Sequence, residues 1–250
     1  MAYDFVHIRV ERPSAHVALF TLDRPERMNA TNAVLHSELV RLPALLDADP
    51  QAKVGVITGA GRAFCVGGDL SEIASDANDY ANKVRMMRET VQILTALVDI
   101  RKPLVSAING AAAGIGLALG LLADISIANE EARFSDGHTK IGLAAGDHAV
   151  LIWPLLCSMA KAKRWLLTSD KIDGREAERI GLVSEAWPPS QVLPRALEFA
   201  EQLAARPPLA IELTKRSLNH WIRQALPAYE ASLGYEMVTV FDPAQREAMS

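Results

Sequence analysis

Two short apolar runs in this chain each empty into a cluster of glycines, and that pairing limits what the chain can become. Val54-Gly55-Val56-Ile57-Thr58 leads into Gly59-Ala60-Gly61-Arg62-Ala63-Phe64-Cys65-Val66-Gly67-Gly68-Asp69-Leu70. Leu104-Val105-Ser106-Ala107-Ile108 leads into Asn109-Gly110-Ala111-Ala112-Ala113-Gly114-Ile115-Gly116. A strand that ends in glycines and feeds a helix leaves main-chain N–H groups exposed, and such turns bind anions or a developing oxyanion. Neither turn carries the Gly-Lys-Ser/Thr of a phosphate loop. A dinucleotide fingerprint also fails, because a count from Gly114 through Gly116 ends on Leu119. The alternative is that these glycines serve only close packing of helix on strand.

The stretch from Leu104 to Ala123 has twenty residues without a charge, long enough to suggest a membrane span. Its four glycines, Ser106 and Asn109 instead divide it into a buried strand, a turn and a helix through Leu117–Ala123. Further strands are expected at His16–Leu22, Asp124–Ala128 and Leu182–Trp187. Helices are expected at Asn32–Asp47, which Pro43 should kink or divide, and at Tyr80–Val98. Asp173 and Glu176 have capping-box spacing, with Gly181 placed to end that short helix. The recurrence of strand, turn and helix predicts a layered α/β fold in residues 1–189. Residues 190–250 read as three helices, Val192–Ala204, Leu209–Ile222 and Pro227–Thr239. With no sheet left to cover, they should form a separate layer on the core or on a neighbouring subunit.

Charge and cysteine content narrow the setting. Lys plus Arg number 26 against 30 Asp plus Glu, a net charge of -4, which argues against a nucleic-acid binder. Cys65 and Cys157 cannot build a disulfide framework, and the N-terminus lacks the order of a signal peptide, so a cytoplasmic protein is expected.

Four segments occur in order: Leu22-Asp23-Arg24-Pro25-Glu26-Arg27-Met28-Asn29-Ala30, Ala63 to Leu70, Asn109 to Gly116, and Ala123-Asp124-Ile125-Ser126-Ile127-Ala128. Together the chain resembles the enoyl-CoA hydratase/isomerase (crotonase) superfamily from about residue 5 to 245. The resemblance implies a spiral of ββα turns, a C-terminal helical region that makes homotrimers or dimers of trimers, and an acyl-CoA substrate. It implies an oxyanion hole from the N–H groups of Gly68 and Ile115. Coenzyme A would enter as part of the thioester, with no tightly bound cofactor. Arg27 matches the basic position near its phosphates. Met28, Ala30, Ala63, Val66, Asp69, Leu70 and Gly114 match the pocket around it.

The family's two hydratase glutamates fall on Ala118 and His138, so a two-glutamate hydration is not supported. The loop offers His138 and Asp147 instead, with Asp136 and His148 beside them. Histidine suits acid/base work near neutrality, and an aspartate in an apolar loop should have its pKa raised by desolvation. Asp147 resembles the aspartate of dienoyl-CoA isomerases, the nucleophile of aryl-CoA dehalogenases, and the aspartate paired with histidine in β-diketone hydrolases. Asp147 could equally cap a helix beginning near His148, and His138 could be a buried structural histidine. Cys65, Trp153 and Trp165 are read as packing, and no metal-ligand spacing is present. Three readings follow: an enoyl-CoA hydratase/isomerase-type enzyme, a cyclic β-diketone hydrolase using His138 as base, and a silent trimeric binding protein.

Overall fold

A computed structural model describes residues 3–69, 80–240 and 242. Its larger sheet has six strands in the order β1 (Ile8–Ser14), β2 (Val17–Leu22), β3 (Val54–Gly59), β5 (Leu104–Ile108), β7 (Ile125–Asn129) and β10 (Glu185–Trp187). A smaller sheet runs β4 (Ala63–Cys65), β6 (Ala111–Ala113), β8 (Arg133–Ser135) and β9 (Ile172–Asp173). Three times in succession, β3/β4, β5/β6 and β7/β8, the chain adds a parallel strand to the large sheet and then one to the small sheet. That is the spiral the resemblance implied.

Helices wrap this spiral. They are α1 (Ala33–Ala48), α2 (Tyr80–Asp99), α3 (Ile115–Leu121), α4 (His148–Cys157), α5 (Met159–Thr168), α6 (Gly174–Arg179), α7 (Val192–Ala204) and α8 (Pro208–Val240). The uncharged stretch is divided as expected between β5, the glycine turn and α3, although α3 begins two residues before Leu117. Among the described residues, no helix is long and apolar enough to cross a membrane. The Asp173 carboxylate accepts from Glu176 N–H at 2.8 Å and caps α6 as its spacing indicated.

Three expectations are corrected. Pro43 does not divide α1, which runs unbroken over sixteen residues. The missing hydrogen bond is outweighed by Leu35, Leu39, Leu42 and Leu46, all buried against the core on the same helix. The sheet is not fully covered before residue 190. Every residue of β2 and β3 is buried, because central strands of this kind need cover on both faces. Val192, Ala196, Ala200 and Ala204 of α7 supply it, packing on Val17, Val54, Val56, Val105 and Ile127. The last two expected helices are one, α8, which continues through Pro227.

Lateral contacts on both sides of Pro227 hold α8 together. Lys215 Nζ lies 2.7 Å from Asp124 Oδ2 and donates to Lys102 O, and Asn219 Nδ2 donates to Val98 O at 2.8 Å. Further on, Tyr229, Ser232 and Leu233 are buried. Lys215→Met leaves the Asp124 carboxylate without its cation. Denaturant titration should show a loss of about 1.5–3 kcal/mol, the usual worth of a charged hydrogen bond.

Candidate active site

The two glycine turns abut. Asn29 Nδ2 donates to Ala60 O and Ala63 O, both at 2.9 Å, and Asn109 Oδ1 accepts from Gly59 N–H at 3.1 Å, so asparagines pin the first turn from both sides. Gly114 adopts φ 49° and ψ −128°, a region closed to residues with a side chain. A Cβ there would sit 3.6 Å from Gly67 Cα, and a Cβ on Gly116 would sit 2.0 Å from Cys65 O. The first turn of α3 therefore rests directly on β4, and only glycine permits it.

This contact orients two amides. Thr31 pairs in parallel with the edge at Gly68 by donating to Gly67 O and accepting from Asp69 N–H. That pattern passes over the Gly68 N–H. Ile115 is the first residue of α3, where an N–H has no partner within the helix. Neither N–H meets an acceptor among the described residues, and both residues are half-buried rather than sealed.

An ionisable cluster lies beside the turns. Asp147 Oδ2 is 4.0 Å from the Cβ position of Gly114. Asp136, just after β8, is buried and holds His138 Nδ1 at 2.9 Å. His138 Nε2 on the other side of the ring is 3.8 Å from Asp147 Oδ2 and 3.8 Å from Glu236 Oε1. Asp147 does cap α4, accepting from Ala149 N–H at 3.2 Å, and its Oδ1 is 2.9 Å from His148 Nδ1. The capping role and a place in the cluster are both real.

The charges decide what each group can do. Burial alone would lower the His138 pKa, but Asp147, Asp136 and Glu236 push it up to about 10, so it is an imidazolium at neutral pH. Burial would raise Asp147, as anticipated from its apolar loop. The neighbouring His148 and His138 imidazoles and the Ala149 N–H reverse that and hold the carboxyl well below the usual range. The expectation of a basic Asp147 is therefore overturned. Glu236, on α8, is pushed up to about 7 by burial and by Asp147 and Asp136, against the opposing pull of His138.

Glu236 was missed. No local spacing ties it to the loop, because α8 brings it there from far along the chain. The usable signal was Ser232, Glu236 and Thr239, polar residues at steps of four and three on one helix face. Each of the three meets the loop: Ser232 Oγ donates to Gly146 O at 2.8 Å, Glu236 packs on Gly146, and Thr239 Oγ1 accepts from Ala144 N–H at 3.0 Å.

Asp136, His138 and Asp147 bring ligand-type atoms within 4.8 Å of one another, a juxtaposition that sequence spacing did not indicate. The three groups hold one proton among them, an arrangement able to move a proton as well as to offer ligand atoms.

The residues matched to coenzyme A gather around the first turn. Arg27 and Met28 are exposed at a 3₁₀ turn, Ala30 and Ala63 are buried, and Val66 is half-buried. Asp69 is buried, with Arg24 Nη2 at 3.3 Å from its carboxylate, so it anchors the turn. Arg24 belongs to the first matched segment, whose pattern assigns it no role. Leu70 lies outside the described residues. Cys65, Trp153 and Trp165 are buried, as expected of packing residues, and burial pushes the Cys65 thiol up to about 11. Ala118 is fully buried in the core. A cavity of about 500 Å³ opens between α2 and α8, with Met87, Val91, Leu233 and Gly234 among its walls.

Comparison with known proteins agrees with this architecture. The family described as enoyl-CoA hydratase/isomerase matches residues 12–245. A probable enoyl-CoA hydratase of Rhodobacter capsulatus is 36% identical over 228 residues, covering 91% of this chain and 86% of that protein. An (E)-benzylidenesuccinyl-CoA hydratase of Thauera aromatica is 35% identical over 82% of this chain and 79% of that protein. The crystal structure of an enoyl-CoA hydratase/isomerase from Mycobacterium paratuberculosis superposes with a TM-score of 0.91 at 34% identity, covering 98% of both chains. With two thirds of its length or more shared with such relatives, the chain belongs to the enoyl-CoA hydratase/isomerase family.

Proposed function

We propose that this enzyme adds water reversibly across the double bond of an enoyl-CoA thioester. The observation that carries the reading is the pair of amides, Gly68 and Ile115, that meet no acceptor among the described residues, on abutting turns beside a histidine ringed by three carboxylates. In this reading the thioester oxygen accepts from both N–H groups. A water O–H bond breaks, its proton passing to a carboxylate of the cluster, and the water oxygen bonds to Cβ. The π electrons move onto the thioester oxygen, and the two fixed donors stabilise the enolate. His138 then gives its Nε2 proton to Cα, and the enolate collapses back to the thioester. Asp147 and Asp136 keep the ring charged and oriented.

Arg27, exposed near the first turn, supports placement of the coenzyme A phosphates there, and the apolar cavity between α2 and α8 supports an acyl chamber one helical turn from Glu236. For assembly we propose a trimer, supported by Leu209, Leu213, Leu218 and Trp221, all exposed along α8. The diketone reading needs His138 to accept a proton from water. Three carboxylates around the ring favour its protonated form, which opposes that role and weighs against that reading.

Presenting the purified protein with crotonyl-CoA, a dienoyl-CoA, an aryl-CoA and a cyclic β-diketone tests the proposal. Loss of the conjugated-thioester absorbance with crotonyl-CoA is expected. Cleavage of the diketone with no turnover of any thioester would overturn it.

A further inference from the structure

Hydration needs a group that takes a proton from water, and neither family glutamate is present at Ala118 or His138. Three carboxylates stand within reach of the His138 ring. Asp136 is buried and hydrogen-bonded to that ring, so one of its oxygens is engaged and water has little access to the other. Asp147 Oδ1 accepts from the Ala149 N–H and lies 2.9 Å from His148 Nδ1, and its surroundings hold the carboxyl well below the usual range, where it is a poor base. Glu236 differs from both. Its carboxylate accepts no hydrogen bond among the described residues, and its side chain retains 23% of its accessibility, against 1% for Asp136. It lies 3.8 Å from His138 Nε2, too long for a direct hydrogen bond.

Its position is fixed rather than incidental. Ser232 and Thr239 tie α8 to the loop one turn before and one turn after it. Between them, a Cβ on Gly146 would fall 2.4 Å from Glu236 Cβ and 2.7 Å from Oε2. Gly146 therefore makes the space in which the carboxylate sits.

Building on the hydration reading, we infer that Glu236 is the general base of the reaction and takes the place of the missing family glutamates. A water O–H bond breaks, its proton passes to a Glu236 oxygen, and the water oxygen bonds to Cβ. The π pair moves to the thioester oxygen, and His138 Nε2–H supplies the proton to Cα. The cycle ends with Glu236 protonated and His138 neutral. Return of that proton from Glu236 to His138, across a 3.8 Å gap that one bridging water or a small side-chain rotation closes, restores both groups. The groups facing Glu236 are His138, Asp147 and Asp136 from the loop and Tyr229 from its own helix. Their balance leaves Glu236 titrating at about 7, where a carboxylate is a far better base than in water.

The test compares wild type, Glu236→Gln, Glu236→Asp and Gly146→Ala as full-length proteins on crotonyl-CoA. Glu236→Gln preserves shape, so thermal melting and binding of a saturated acyl-CoA should match wild type. Its kcat should fall by about 10²–10⁴-fold, and the acidic limb of kcat/KM near pH 7 should vanish. Glu236→Asp should recover part of the rate. Gly146→Ala would also meet Ser232 O at 2.5 Å, so it displaces this part of α8 together with the carboxylate, and its rate should fall while the acidic limb remains. Hydration by Glu236→Gln within threefold of wild type, or an unchanged acidic limb, overturns the assignment and leaves the hydration reading standing. Failure of wild type on every enoyl thioester overturns that reading, and the role of Glu236 with it.

Discussion

Ile115→Pro should lower kcat for enoyl-thioester hydration by about 10²–10³-fold, the usual effect of deleting one oxyanion donor. A main-chain N–H is removed only by proline, and proline is normally disruptive. Here it is not, because Ile115 occupies the first position of α3, where no intrahelical bond is lost and the fixed φ suits the helix. The first bond of α3 runs from Ala118 N–H to Gly114 O and is untouched. Far-ultraviolet circular dichroism should therefore overlay wild type while the rate falls. Ile115→Val, which keeps the amide, serves as the control and should retain activity. A proline variant with wild-type kcat would show that this amide does not meet the reacting oxygen.

Replacing His138 with Gln should lower kcat by about 10²–10⁴-fold by removing the proton donor to Cα. A second signature separates this from general damage. His138 pulls the Glu236 pKa downward, so without it the acidic limb of the residual activity should move to higher pH. Stability carries a third. The folded-state pKa of His138 lies above its ordinary value, so its stabilising effect is complete below about 6.5 and is lost as pH rises toward about 10. Denaturant midpoints of the variant should thus fall short of wild type at pH 6 and converge with it near pH 10. A constant difference across that window would show that the ring is not held charged by its carboxylates.

Elements whose pattern is local were readable from the chain itself. β3 and β5 announce themselves as short apolar runs ending in glycine, and the amphipathic stripe of α2 is plain. β1 gave no such signal: Ile8-Arg9-Val10-Glu11-Arg12-Pro13-Ser14 is an edge strand with one neighbour and a wet face. The interior prolines of α1 and α8 misled because local preference was set against tertiary packing, and packing prevailed. At the site, the two glycine turns were legible, the choice of Gly68 and Ile115 within them came from the family resemblance, and His138 and Asp147 share one loop. The sign of the Asp147 shift did not follow, because it depends on how the His138 and His148 rings are turned toward the carboxylate in the folded loop. Glu236 was hidden for the same reason, since its partners are distant in the chain.

The placement of Glu236 on α8 has a consequence for biosynthesis. Every strand and both amide turns are encoded before residue 190, whereas the proposed base arrives with the last helix described. In a chain emerging from the ribosome, both glycine turns and the His138 loop would be present before α8 docks. Such a nascent chain could hold a thioester yet leave it unhydrated, so the onset of turnover would mark the moment at which α8 settles across the loop.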